Sequence, residues 1–160
     1  MAVSWTYDDI PDQTGRTAVV TGASSGLGLV VARTLAERGA DVIMAVRDTA
    51  KAARVAPGLQ SRELDLADLD SVRAFAGSMR ADGRTIDLLV NNAGIGNVPR
   101  RLSPQGFESQ FATNFLGHFA LTGRLLPLLR QAPVPRVVSL SSLAHQSAAI
   151  RLADLQSERR

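Results

Sequence analysis

Short apolar runs alternate along the chain with longer segments of helical period. That alternation predicts an α/β protein built on a parallel sheet. Thr17 to Val20 reads as the first strand, Asp41 to Val46 as the second and a weaker Arg62 to Leu64 as the third. Ile86 to Val90 and Arg136 to Leu140 read as the fourth and fifth. Strands two, four and five are dense in Val, Ile and Leu, as expected of strands covered on both faces. Leu27, Val30, Val31, Thr34 and Leu35 fall at i, i+3, i+4, i+7 and i+8 and predict one apolar helix face. Gly39, just past Arg38, marks its stop. Leu69, Val72, Arg73 and Ala76 predict another helix, with Asp68 or Asp70 near its start. Pro104 to Leu129 is long enough for a bent helix in which Gly117 and Gly123 admit close packing, and Pro133 and Pro135 end it before strand five. Right-handed crossovers then give a doubly wound sheet in the order 3-2-1-4-5. Met1 to Thr14 reads as a mobile arm, residues 15–160 as one domain, and Gln146 to Arg160 as a loop with one helical turn.

Composition narrows this picture. The 160 residues, 45% of them hydrophobic, suit a single domain with a real core. The absence of cysteine excludes disulfides and thiolate metal sites, and no metal site is expected. Neither a signal-peptide core nor the roughly 18-residue apolar run of a membrane span is visible, so a cytoplasmic protein with no membrane span is expected. The isoelectric point near 10.5 is misleading, because the net charge is only +3. Of the 18 basic residues 17 are arginine, whose high pKa raises the isoelectric point without adding net charge. They are scattered, often beside acids, and only 4% of residues are aromatic, which argues against a nucleic-acid partner.

Candidate chemistry begins with Thr21-Gly22-Ala23-Ser24-Ser25-Gly26-Leu27-Gly28, which lies between the first strand and a helix. Gly22, Gly26 and Gly28 permit a tight turn, close approach of backbone N–H groups to a pyrophosphate and tight helix–strand packing. The plainer reading is a turn shaped by glycine alone; the flanking strand and helix favour a nucleotide. Strand two ends in Val46-Arg47-Asp48. A ribose 2′-hydroxyl prefers a carboxylate there and a 2′-phosphate prefers arginine, so Arg47 favours NADP over NAD, unless it is a surface arginine paired with Asp48. Asn91-Asn92-Ala93-Gly94 closes strand four, although Asn and Gly serve any turn. Asn114, disfavoured inside a helix, hints at a special role. His118 reads as a helix-surface or packing histidine rather than a base. Strand five delivers Ser139-Leu140-Ser141-Ser142 to its carboxyl end, where such sheets bind ligands. No Gly-x-Ser-x-Gly surrounds these serines, so a hydrolase triad is not indicated, and the alternative is a capped loop.

In order and spacing these segments resemble the short-chain dehydrogenase/reductase family from Arg16 to Arg160. Leu116-Gly117-His118-Phe119 and Ser141-Ser142-Leu143-Ala144-His145 are most similar to its retinol-dehydrogenase-like branch. The resemblance implies a Rossmann-type fold and an NAD(P)-dependent oxidoreductase moving hydride between NADP(H) and a small-molecule carbonyl or alcohol. It implies cofactor contacts from Gly22, Ser24, Ser25, Gly26, Leu27, Gly28 and Arg47. Asp65 would meet the adenine edge with Leu66 on the ring, and Asn92, Ala93 and Gly94 would border the ribose. Asp65 reads equally well as a helix cap. As catalytic residues it implies Ser142, orienting the substrate oxygen, and Asn114, holding the catalytic lysine through a distorted helix turn and water. The family's Tyr-x-x-x-Lys pair should follow the serine, yet the sole tyrosine is Tyr7 and the sole lysine is Lys51. The expectation is a chain that stops before that pair and before the family's last strands and helices, inactive alone, and a homo-oligomer if the full domain is present. A non-catalytic nucleotide-binding module or a decayed gene product is the alternative.

Overall fold

Parallel strands β1 (Thr17–Thr21), β2 (Asp41–Val46), β3 (Gln60–Glu63), β4 (Leu88–Asn91) and β5 (Arg136–Ser139) form one sheet in the order β3-β2-β1-β4-β5. This is the doubly wound topology expected from the alternation of apolar runs. The computed structural model describes residues 5–147 and 149–159; residues 1–4, 148 and 160, which fall in the expected arm and terminal loop, lie outside the described residues. In register, Val19 of β1 sits between Ile43 of β2 and Leu89 of β4. Because strand side chains alternate between faces, the strands feed two separate cores. Val19, Ile43 and Leu89 pack with Val72, Phe75, Leu121 and Leu125 on one face. Ala18, Val20, Val42 and Met44 pack with Ala32 and Ala52 on the other.

The helices depart from expectation in instructive ways. Helix α1 (Gly26–Glu37) follows β1, but its buried stripe is rotated from the predicted one. Gly28 and Ala32 face the sheet, whereas Leu27 and Val30 are 69% and 60% exposed. Apolar periodicity follows large side chains, and this contact is made by the smallest ones. Helix α2 (Thr49–Val55) has no predicted counterpart; Asp48 caps it by accepting the Lys51 amide at 2.7 Å. Helix α3 (Leu69–Ala81) is capped by Asp68 rather than Asp70. β5 is not covered on both faces: it pairs with β4 at the edge of the sheet, and Val137 and Val138 are each 45% exposed.

The long helix expected from Pro104 begins only at Ser109. Residues 103–107 form a turn closed by the Ser103 amide on the Phe107 carbonyl at 2.7 Å. Glu108 then caps α4 (Ser109–Phe111), accepting the Gln110 and Phe111 amides at 2.9 Å each. Burial pushes the Glu108 carboxyl up, but these amides and the Ser109 hydroxyl together outweigh it and hold it below the usual range. A π-helical turn (Ala112–Leu116) leads into α5 (Gly117–Leu129). The described part of the N-terminal arm carries a 3-10 turn (Tyr7–Asp9) resting on the end of α1. Tyr7 donates its hydroxyl hydrogen to Glu37, and the Arg38 guanidinium lies 4.6 Å from the ring centroid. No helix among the described residues is long and apolar enough to cross a membrane.

The two helical glycines expected to admit close packing behave differently. A Cβ on Gly117 would overlap the Leu66 carbonyl, whereas one on Gly123 would meet nothing within 4 Å. Gly117→Ala should therefore lower stability by about 1–3 kcal/mol through overpacking. Gly123→Ala should raise it by about 0.5–1 kcal/mol through helix propensity. Urea denaturation of the two variants checks the pair.

Candidate functional site

At the carboxyl ends of the strands, two loops close on one another. Gly22 has φ +67°, open to glycine without strain, and a Cβ there would lie 2.9 Å from Ala93 Cα. Gly28 faces Asn92 Nδ2 and the Gly22 carbonyl so closely that no methyl group fits. Gly26 differs: φ is +55° and its Cβ position is open, so backbone conformation alone asks for glycine there. Thr21, fully buried, joins the loops. Its Oγ1 accepts the Asn92 amide at 2.9 Å and the Ala93 amide at 3.0 Å, and Asn92 Nδ2 donates back to the Thr21 carbonyl at 2.9 Å. Sequence reasoning quoted Thr21 in its motif without assigning it a role.

Above this junction lies a cleft of about 570 Å³. It gathers Gly22, Ser24, Ser25, Leu27, Gly28, Arg47, Asp65, Leu66, Asn92, Ala93 and Gly94, every residue expected at the cofactor except Gly26. Ser25 is the N-cap of α1 but makes no side-chain cap bond, so the first-turn amides are not satisfied by it. Arg47 forms no ion pair among the described residues, and Asp48, its supposed partner, is occupied in capping α2. Lys51, one turn into α2, also lines the cleft. Asp65 folds over its own turn, Oδ1 accepting the Ala67 amide at 2.9 Å, so it caps a loop and not α3. Leu66 lines the cleft but is largely buried in the core, with Gly117 against its carbonyl.

A second cavity, of about 830 Å³, meets the first at Asn92, Ala93, Gly94 and Leu140. Phe115, Phe119 and Val137 give it apolar walls; Asn114, His118, Ser139 and Ser142 give it polar ones. Ser142 Oγ accepts the Ala144 amide at 3.2 Å, a bond that leaves its own proton for another acceptor. The Asn114 side chain is engaged elsewhere. It pairs with the Ile95 backbone, accepting the amide and donating to the carbonyl at 2.8 Å each, and so pins the loop after β4 to the π-helical turn. His118 is neither on the helix surface nor merely packed: it is 8% exposed and bonded at both ring nitrogens. Asn91, 5% exposed, donates through Nδ2 to Thr122 Oγ1 at 3.0 Å, while its Oδ1 has no partner among the described residues.

The chain matches the family profile described as short chain dehydrogenase over residues 16–153. Retinol dehydrogenase 12 of Mus musculus is 42% identical over 155 residues, 91% of this chain and 49% of that protein. Retinol dehydrogenase 13 of Homo sapiens is 41% identical over 150 residues, 88% of this chain and 45% of that protein. The chain thus spans about half the length of the curated relatives it matches. Among solved structures, an uncharacterized protein from Mycobacterium paratuberculosis superposes with a TM-score of 0.87 at 53% identity, covering 98% of this chain and 57% of that one. A short chain dehydrogenase from Escherichia coli complexed with NADPH superposes with a TM-score of 0.75 at 27% identity, covering 96% and 68%.

The junction makes its own prediction. Thr21→Val removes the acceptor of two backbone amides and should destabilise the fold by about 1–3 kcal/mol. Thr21→Ser should restore most of the loss in the same denaturation experiment.

Proposed function

The chain belongs to the short chain dehydrogenase family, and from that premise we propose that it is the nucleotide-binding portion of an NADP-dependent oxidoreductase acting on a carbonyl or alcohol. The observation that carries this reading is the unpaired Arg47 at the end of β2, in the same cleft as the glycine turn. The donor set fits a dinucleotide. Uncapped amides at the start of α1 suit a pyrophosphate, Arg47 with Lys51 suits a 2′-phosphate, and Asn92, Ala93 and Gly94 border the passage to the second cavity. NADP as the cofactor is further supported by the Escherichia coli relative complexed with NADPH.

When bound, the nicotinamide supplies or accepts hydride. The chain's own residues orient the partner. Ser142, at the mouth of the apolar second cavity, donates its free hydroxyl proton to a carbonyl oxygen, and Asn114 acts as a positioning residue by fixing the loop after β4. Neither can deliver the proton that an alkoxide needs. Tyr7 rests on the end of α1 and Lys51 lies at the Arg47 end of the cleft, so no Tyr-x-x-x-Lys pair reaches Ser142 within these 160 residues. That observation favours, as a second reading, a nucleotide-binding unit that does not turn over by itself.

Arg47→Glu should weaken NADPH binding by about 1.5–3 kcal/mol, the size of a charge-assisted contact, and spare NADH, as read by calorimetry. Equal losses for both would remove Arg47 from the discrimination. The 160 residues assayed alone with NADPH and aldehydes should show no appreciable turnover, since acid–base catalysis typically contributes about 10²–10⁴-fold. Robust turnover abolished by Ser142→Ala would overturn that expectation.

A further inference from the structure

His118 plays no part in the chemistry assigned to either cavity, yet it spans the wall between them. Its Nε2 lies 3.0 Å from Thr21 Oγ1, and its Nδ1 lies 3.3 Å from the Asn114 carbonyl oxygen. Counting hydrogens fixes the direction of both bonds. A carbonyl only accepts, so Nδ1 carries the hydrogen. Thr21 Oγ1 already accepts the Asn92 and Ala93 amides, which uses both lone pairs. Its one proton therefore goes to a bare Nε2; the other acceptor in reach, the Val90 carbonyl, is farther at 3.3 Å. The ring is neutral, and every partner is used once.

A second proton on Nε2 would point at an oxygen with no lone pair left. Thr21 would have to turn its proton toward Val90 and release one of the two amides that hold Asn92 and Ala93, the residues common to both cavities. Burial pushes the imidazole below its ordinary value of 6.5, and the Asn114 carbonyl opposes this less strongly. The elements around the ring supply Thr21 from β1, Asn91 and Asn92 from β4, Ser139 from β5 and Thr122 from α5, none of them titratable. No charged side chain contributes to the shift.

We propose that His118 is a positioning residue, a neutral bridge that locks the junction of the two loops to the π-helical turn, and that its protonation loosens the junction and weakens nucleotide binding. The nucleotide half of this inference rests on the function proposed above. The sign follows from linkage: the depressed imidazole binds its proton more readily once the bridge is broken, so stability and affinity are complete above about pH 6.5 and fall as the pH drops through the lower value.

The test uses the 160-residue chain with nitrogen-15 histidine and three measurements between about pH 5 and 7.5, the range of histidine switches. Imidazole spectra should report His118 as the Nδ1–H tautomer, titrating below His145. Thermal melting should fall in acid for the wild type and be flatter for His118→Gln, which has no proton to gain there. NADP⁺ affinity by calorimetry should fall up to about tenfold per pH unit below the imidazole pKa. Because the 2′-phosphate also titrates near pH 6, the decisive quantity is the slope of the wild type minus that of His118→Gln. An Nε2–H tautomer, or equal slopes for the two proteins in melting, would overturn the bridge; equal slopes in affinity would overturn its link to the nucleotide. Failure of NADP⁺ to bind at any pH would instead sink the proposed function together with that link, with the tautomer and melting measurements still deciding the bridge.

Discussion

Two chain reversals meet at the carboxyl edge of the sheet with no room for a methyl group between them: Gly22 lies on Ala93, and Gly28 on Asn92. Such an approach is possible only where side chains are absent, and it brings together backbone polar groups that cannot be left unpaired. Thr21 resolves that demand by accepting two amides from the other loop. The position of α1, the shape of the cleft and the passage to the second cavity all follow from this junction. A residue larger than glycine at position 28 would push α1 off the sheet before it touched any ligand.

The junction also explains why the two cavities communicate. Residues 92–94 are shared walls, fixed from below by Thr21 and from the side by Asn114 through the Ile95 backbone. A dinucleotide in the first cleft would therefore present its reactive end where Ser142 stands in the second. The division of labour is sharp: α1 and β2 offer amides and cations, while α5 and β5 offer aromatic and hydroxyl groups.

Much of this was legible in the residues. Sheet order follows from alternation and handedness, and the glycine turn announces itself because positive φ, as at Gly22 and Gly26, restricts residue choice. Other features carry no local signal. α2 is short and alanine-rich with no broad apolar face, and the buried stripe of α1 is made of Gly28 and Ala32, which a search for large apolar residues passes over. The Thr21–His118 bond joins residues 97 apart in the chain, and a single histidine in a helix looks the same whether it faces solvent or a threonine. The exposure of β5 was missed for a related reason: Val and Ile in a strand signal a sheet, not its neighbours.

The π-helical turn between α4 and α5 acts as a phase setter. An α-helix advances about 100° per residue, from 3.6 residues per turn, and a π turn accommodates one residue more than regular α-helical winding would. Phe111, Phe115 and Phe119 stack across it with centroids 5.5 Å and 6.1 Å apart, so the turn is continuous on that side of the helix. Deleting one residue from 112–116 would let the helix relax to regular winding and rotate everything after it by roughly one residue's angle. Leu121 and Leu125 would then leave the core, Gly117 would swing away from Leu66, and His118 from Thr21. A gain or loss of one residue here is thus a change of rotation for the whole of α5, and substitutions are the only small steps this segment can tolerate.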